Sequence, residues 1–214
     1  NSVWVASAAA LVCAAAALWL AYAERLYPQR LVRGGVRVAT LGYAVPGLVL
    51  AVALMLPMTS FDKWIATALR DVLDIRWGLL LTGTSAALIF VYVARFLTVA
   101  FNSTQAGLIQ IHPQLDAAAR SLGHSPGSVL RRVHLPLLRP AILTGLLLVF
   151  IDVMKELPAT LILRPFNFET LATWVYRYAS DERLAEASTA ALAIVLVSLV
   201  PTVMLSLSRR EGTD

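Results

Sequence analysis

Five stretches of about 20 mostly apolar residues are the feature that most limits what this chain can fold into. They lie at about 3–23, 38–58, 78–101, 140–163 and 187–207. The hydrocarbon core of a bilayer is about 30 Å thick, which about 20 helical residues cross, and backbone polar groups inside it must be bonded within the segment. The sequence therefore predicts an all-α integral membrane protein, with residues 1–214 forming one five-span domain.

The overall composition supports a membrane protein. Hydrophobic residues make up 58% of the 214 residues and charged residues 14%, and the mean hydropathy is +0.72. A soluble domain carries about 25% charged residues to cover its surface. The single cysteine, Cys13, excludes a disulfide scaffold. Because the chain begins with Asn1 rather than Met, we expect it to be a piece of a longer protein.

The charges predict how the chain is oriented in the membrane. The side that holds the segments after the first and third spans and the C-terminus has eleven basic and four acidic residues, counting Arg95 at the interface end of the third span. The other side has seven basic and nine acidic residues. Since basic loops stay in the cytoplasm, we expect the N-terminus outside and the C-terminus inside. Basic residues placed between apolar stretches do not form the soluble basic face that a nucleic acid requires.

Two segments on the outer side are expected to be ordered. The apolar periodicity from Phe61 towards Trp77 predicts a short helix lying in the membrane interface. Aromatic residues within 164–186 are typical of an interfacial belt. For both segments, a contact surface for an outside partner is the alternative to lipid anchoring.

The long inner segment, 102–139, has the pattern of two short helices. Pro113 is suited to open the first helix, an apolar stripe follows, and Gly123 is suited to end it. Ser125 and Pro126 then predict the start of a second helix, which we expect to end at Leu135-Pro136. The stripe consists of Leu115, Ala118, Ala119 and Leu122. The pattern alone leaves open whether this segment docks a partner or packs only on its own protein.

The same segment resembles the EAA loop of ABC-transporter permeases. Ala117-Ala118-Ala119 is followed by three residues, Gly123, nine residues and Val133-His134-Leu135-Pro136, against the family's Glu-Ala-Ala, Gly and Ile-x-Leu-Pro at the same spacing. Ala117 stands where the family usually has Glu, with Asp116 one residue earlier, and Val133 replaces Ile. The resemblance implies a MetI-like permease core. It also implies coupling of the loop to an ATPase through Ala117, Ala118, Ala119, Leu122, Gly123, Leu135 and Pro136.

The resemblance also implies the partners. We expect a cytoplasmic ABC ATPase dimer, a second permease core in the same chain or as a homodimer, a periplasmic substrate-binding protein and the lipid bilayer of a bacterial inner membrane. The sequence has no Gly-x-x-x-x-Gly-Lys-Ser/Thr phosphate loop. ATP is therefore expected to bind the partner, with no cofactor and no catalytic residue in this chain. The three histidines lack the spacing of a metal site.

A second group of residues narrows the resemblance. Residues 152–160, 164–168 and 179–182 resemble the C-terminal half of fused ferric-iron importer permeases. Ferric iron is therefore the expected cargo, with thiamine, a phosphonate or another small anion as alternatives. A membrane scaffold or enzyme subunit unrelated to transport is the alternative from a different class.

Three charges in the fourth span admit two interpretations. Asp152, Lys155 and Glu156 lie in its middle-to-outer part, where a lone charge costs about 2.5–3.5 kcal/mol. Such groups face a bundle interior or a water-filled path. They either line the translocation path or gate, or they pair structurally, as Asp152 and Lys155 can at i,i+3.

Overall fold

The computed structural model describes residues 1–73 and 81–210, with side chains for 1–71 and 81–203. In that part of the chain every regular element is helical. The helices are α1 (Ser2–Leu26), α2 (Arg30–Ala39), α3 (Gly47–Leu73), α4 (Ser85–Gln110), α5 (Pro113–Ser121), α6 (Pro126–Val129), α7 (Leu135–Met154), α8 (Pro158–Leu163), α9 (Leu171–Ser180) and α10 (Leu184–Arg210). A π-helical turn, Leu130–His134, joins α6 to α7.

Five helices are long and apolar enough to cross a membrane, which confirms the predicted number and order of spans. They are α1, α3, α4, the continuous helix Pro126–Met154 and α10. Helical hydrogen bonding pairs backbone groups within each segment, as a hydrocarbon environment requires.

The predicted second span, 38–58, is wrong in its bounds. Residues Arg30–Ala39 form the separate helix α2, and the spanning helix α3 begins only at Gly47, directly after Pro46. A proline disfavours the helical conformation of the residue before it, which keeps the two helices apart. The separate interfacial helix predicted from Phe61 is also wrong, because α3 continues to Leu73. The rest of that segment, 74–77, lies outside the described residues.

The third span begins at Ser85 rather than at residue 78, and residues 78–80 of that prediction lie outside the described residues. Ahead of α4 the buried Asp62 carboxylate accepts hydrogen bonds from the backbone N–H groups of Leu81 and Thr82, at 3.0 and 2.7 Å. At its other end α4 runs to Gln110, nine residues into the predicted loop 102–139. The inter-helical part of that loop is correspondingly shorter.

The second helix of the predicted loop does not end at Leu135-Pro136. It continues through the π-helical turn into the fourth span, where the N–H of Leu135 bonds to the carbonyl of Leu130. Pro136 therefore follows a place where the regular i→i−4 pattern is already interrupted. The predicted fourth span, 140–163, is also not one helix. Pro158 cannot continue α7, so α7 ends at Met154 and α8 begins at Pro158.

The core of the bundle is formed by α1, α4 and α7, to which α1 contributes mainly small side chains and α4 and α7 mainly large ones. One face of α1 buries six alanines and Cys13. Where α4 crosses α7, a Cβ at Gly145 would lie 3.2 Å from Cα of Ala100. Close backbone approach of this kind is how spans associate in lipid, where apolar burial gives little driving force.

Candidate functional site

The elbow between α5 and α6 forms from local sequence signals, as predicted. His112 caps α5 by accepting the N–H of Gln114 on Nδ1, at 3.2 Å, and Pro113 is the first helical residue. After α5, Gly123 has a φ of 80°, in the left-handed region that glycine adopts without a steric cost. Ser125 then caps α6 through the N–H of Ser128.

The residues predicted to couple to an ATPase lie mostly on the surface. Of the predicted stripe only Ala119 is buried against the protein, whereas Leu115 is 44% and Leu122 77% exposed. Ala117, Ala118, Gly123 and Pro136 are also exposed, and Leu135 is 36% exposed. The helix α5 therefore presents an apolar face outward at the end of the bundle.

The other face of α5 is fastened to α1 and to the π-helical turn by Asp116. Its Oδ2 accepts from Nε of Arg25 at 2.8 Å and its Oδ1 from Nε2 of His134 at 2.6 Å. Arg25 also donates to the carbonyls of Leu108 and Ile111, at 2.6 and 2.9 Å, at the end of α4. We call Arg25, Asp116 and His134 the loop clasp.

Tyr22 of α1 reinforces the loop clasp. Its hydroxyl donates to the carbonyl of Pro126 at 2.7 Å, and its ring meets that of His134 edge-on, with centroids 5.4 Å apart. His134 itself is 1% exposed. The C-terminal end of α1 therefore contacts both short helices of the elbow.

The loop clasp stabilises the charged form of Asp116. Partial burial acts to raise the pKa of Asp116, but the hydrogen bond and charge of Arg25, together with His134, hold this pKa below its ordinary value. The Asp116 carboxylate, one position before Ala117, is therefore bonded to side chains of this same chain.

A buried ion pair lies deep in the bundle. Glu156, 7% exposed, has its Oε2 3.5 Å from Nε of Arg95, and its Oε1 accepts the N–H of Ala159 at 3.2 Å. Arg95 also donates from a terminal nitrogen to the carbonyl of Val45 at 3.2 Å. Its Nε makes no hydrogen bond among the described residues, so the contact with Glu156 is loose.

This buried ion pair corrects the predicted position of Arg95. Since α4 extends to Gln110, Arg95 lies about 15 Å from the start of α4 and about 22 Å from its end. Arg95 is thus near the middle of α4, whereas the predicted bounds placed it towards one end of the span. Gly47 lies directly against the pair, because a Cβ there would be 2.3 Å from a guanidinium nitrogen of Arg95 and 2.5 Å from Oε1 of Glu156.

The other two predicted path residues pair with each other. Nζ of Lys155 lies 2.8 Å from Oδ1 of Asp152, and the lysine side chain is 63% exposed. Both residues lie at the end of α7, where the helix is interrupted before α8 begins. At the interruption between α7 and α8, Asp152 therefore pairs with Lys155, whereas Glu156 pairs with Arg95. Whether any of the three lines a path stays a prediction.

Sequence analysis named Asp116 and His134 but did not connect them with each other or with Arg25. The three residues are 18 to 109 positions apart and lie on different elements. The available signal was that Asp116 is the only acidic residue between residues 75 and 151, so it was the natural partner for a basic residue nearby. In the described part of the chain no three His, Cys, Asp or Glu side chains are grouped to hold a metal ion.

The sequence of this chain is similar to that of known transport proteins. Residues 13–210 match the family described as "Binding-protein-dependent transport system inner membrane component". The Fe(3+)-transport system permease protein FbpB 2 of Haemophilus influenzae is 31% identical over 205 residues, which are 96% of this chain and 37% of that protein. The putative 2-aminoethylphosphonate transport system permease protein PhnV of Salmonella typhimurium is 35% identical over 120 residues, 56% of this chain and 43% of that protein. The chain therefore spans less than half the length of these relatives.

Solved structures share the fold. A permease chain in the bacterial alginate ABC transporter, crystallised with an alginate-bound periplasmic protein, superposes with a TM-score of 0.76 at 16% identity, covering 100% of this chain and 78% of that chain. A chain of the inward-facing MetNI methionine ABC transporter gives 0.68 at 17% identity, covering 100% and 95%. At these identities the likeness establishes the arrangement of helices, which is that of MetI-like permeases.

Proposed function

This chain belongs to the family of inner membrane components of binding-protein-dependent transport systems, and from that premise we propose that it transmits ATP-driven motion from its inner loop into the membrane spans. Family membership and the five spans place it in the inner membrane as a multi-pass protein. ATP hydrolysis is assigned to a separate ATPase dimer that docks on α5.

The observation that carries this proposal is the continuity of the helix Pro126–Met154. Its 29 residues extend about 43 Å, from the elbow beside α5 to the break that holds Asp152 and Lys155. A displacement of the elbow is therefore transmitted through the π-helical turn and along α7 to the far end of the fourth span. The loop clasp supplies a second connection, from α5 to α1.

The exposed apolar face of α5 is the proposed ATPase contact. A short helix that exposes Leu115, Ala118 and Leu122 on one side and is bonded through Asp116 on the other has the form of a helix inserted into a groove. Because Asp116 is bonded internally and Ala117 carries no charge, we infer that this contact is mainly apolar.

The proposed orientation keeps the N-terminus outside. With Arg95 assigned to the span, the inner side still has ten basic and four acidic residues, which the positive-inside rule favours for the cytoplasm. The elbow then faces the ATPase, and the segment from α8 to α9 faces a periplasmic binding protein. A second permease core, in the same chain or as a second copy, completes the pathway.

Ferric iron is the proposed cargo. It is supported by the relative that aligns over 96% of this chain, whose name assigns it to Fe(3+) transport. A 2-aminoethylphosphonate is the second candidate, since the permease named for it is 35% identical over 56% of the chain. Uptake of radiolabelled ferric iron and of 2-aminoethylphosphonate by cells with and without the gene distinguishes them.

The coupling proposal is tested with Gly123→Asp in the full-length protein. A side chain at a φ of 80° strains the elbow, and the new charge enters the apolar contact. We expect normal membrane insertion, loss of the ATPase on mild-detergent purification and loss of ATP-dependent uptake. Gly34→Asp is the control, since its Cβ meets nothing within 4 Å. Retained ATPase and normal uptake in Gly123→Asp would contradict coupling through this loop.

A further inference from the structure

A basic cleft lies at the inner end of the bundle, between α2 and the C-terminal ends of α1 and α4. Its volume is about 470 Å³. Its polar lining comes from Glu24, Arg25, Arg33, Arg37 and Gln105. It is separate from the apolar face of α5, and of the loop clasp only Arg25 reaches it.

Two of the three arginines in this cleft have no counter-ion. The guanidinium of Arg25 is already bonded to Asp116 and to two backbone carbonyls. Arg33 and Arg37 lie one turn apart on α2, are exposed, and make no ion pair or side-chain hydrogen bond with any residue that the structure describes. Positions i and i+4 share a helix face, so both guanidinium groups serve the same cleft.

The charge of the cleft matches a singly charged anion. Glu24, which accepts a hydrogen bond from Nε2 of Gln105 at 3.2 Å, contributes one negative charge. Arg25 is balanced by Asp116, and Arg33 and Arg37 contribute two positive charges. One positive charge is therefore left over, which is the charge that a phosphodiester neutralises.

The helix α2 has the composition of a segment that lies on a membrane. Its ten residues include three arginines and no acid, and it exposes Leu31 (86%) and Val38 (70%). Basic amphipathic helices beside a span bind anionic lipid headgroups. Next to the arginines, the 76% exposed Ile109 of α4 gives the cleft an apolar wall.

We propose that this cleft binds a phosphate group, held between the guanidinium groups of Arg33 and Arg37. A guanidinium presents two parallel N–H donors that match two phosphate oxygens. The apolar wall at Ile109 and the exposed apolar side chains of α2 favour a phosphate carried by an anionic glycerophospholipid over free phosphate.

The test uses the full-length protein, purified in mild detergent, stripped of lipid and titrated with phosphatidylglycerol under native mass spectrometry. Arg33→Gln/Arg37→Gln should weaken binding about 30-fold, from the contribution of each arginine to binding at an anionic surface. Lys63→Gln/Arg70→Gln is the matched control, because it removes two exposed basic side chains of α3 that do not line the cleft. It should bind as the unmodified protein does.

Competition experiments on the same protein identify the source of the phosphate. Displacement of phosphatidylglycerol only by other anionic lipids supports a headgroup site, whereas displacement by millimolar inorganic phosphate supports the same site for a free anion. Equal binding by Arg33→Gln/Arg37→Gln and the unmodified protein, or an equal loss in the control, would overturn the proposal. So would loss of the ATPase without loss of lipid, since the arginines would then form a protein contact. Unchanged thermal unfolding of both variants shows that folding is not the cause.

Discussion

Breaking the loop clasp should loosen α5 without unfolding the bundle. Asp116→Asn keeps the shape of the side chain but leaves one acceptor oxygen for two donors, Arg25 and His134. A hydrogen bond to a charged group contributes about 1.5–3 kcal/mol and a neutral one about 0.5–1.5 kcal/mol. Because Asp116 is 21% exposed and partly screened by water, we expect Asp116→Asn to lower the free energy of local opening of α5 by about 2 kcal/mol.

Hydrogen exchange of the α5 backbone measures this loss directly. A change of about 2 kcal/mol in the free energy of local opening corresponds to a roughly 30-fold faster exchange. We expect this in peptides covering residues 113–123 of Asp116→Asn, with no change in α1, α4 or α7. Asp181→Asn, which alters an exposed carboxylate beside α9, is the control.

A double variant separates the loop clasp from a general effect of losing a charge. If Asp116 acts through Arg25, then Asp116→Asn should cause much less additional exchange when Arg25 is already glutamine. Unchanged exchange in Asp116→Asn, full additivity in the double variant, or an equal change in Asp181→Asn would refute the role assigned to the loop clasp.

Three other changes probe the rest of the site. Gly47→Ala pushes a methyl group into the buried ion pair and should lower the free energy of unfolding by about 1–3 kcal/mol, measured by thermal unfolding. Gly34→Ala is the control, because its Cβ meets open space, and it should not lower this free energy. Equal losses in the two variants would contradict the close approach at Gly47. Lys155→Met should lower uptake while the ATPase stays bound if the pair at the α7–α8 break lines the path, with the exposed Lys63→Met as control; normal uptake would remove that role. Burial acts to raise the pKa of Glu169, but hydrogen bonds from Thr173 and Arg164 and the nearby arginine charges hold the pKa below its ordinary value. Its contribution to stability is therefore present above that ordinary value and lost as pH falls through the lowered pKa. The difference in Tm between the protein and Glu169→Gln should stay constant from about pH 8 to 5 and shrink below about pH 4; a difference that closes by pH 5 would refute it.

Features set by short stretches of sequence could be predicted. The start of α5 at Pro113, the left-handed Gly123 and the cap at Ser125 each depend on neighbours within four residues. Span boundaries were harder, since hydropathy does not register a helix that extends beyond the apolar stretch. Gln110 ends α4 well into a polar segment, and with the later start at Ser85 this places Arg95 near the middle of α4.

Features that depend on distant contacts could not be predicted. The pairing of Arg95 with Glu156 requires α4 to cross the break after α7, and the loop clasp requires α1 to reach the elbow. The prediction that Pro136 ends the second helix of the loop was also wrong. The π-helical turn before Pro136 already replaces the i→i−4 hydrogen bonds, so the helix continues past the proline. Sequence periodicity alone does not reveal a turn of that kind.

The arrangement of the spans suggests which parts move together. The central helices α1, α4 and Pro126–Met154 bury 28–44% of their apolar windows, whereas α3 and α10 bury 17% each. All three central helices are joined to the elbow, α4 and Pro126–Met154 by the chain itself and α1 by the loop clasp. Because a close-packed core allows little sliding, we infer that α1, α4 and α7 move as one body with the elbow. The contacts that rearrange would then be those of α3, which meets this body through the loosely bonded Arg95 and Glu156 beside Gly47.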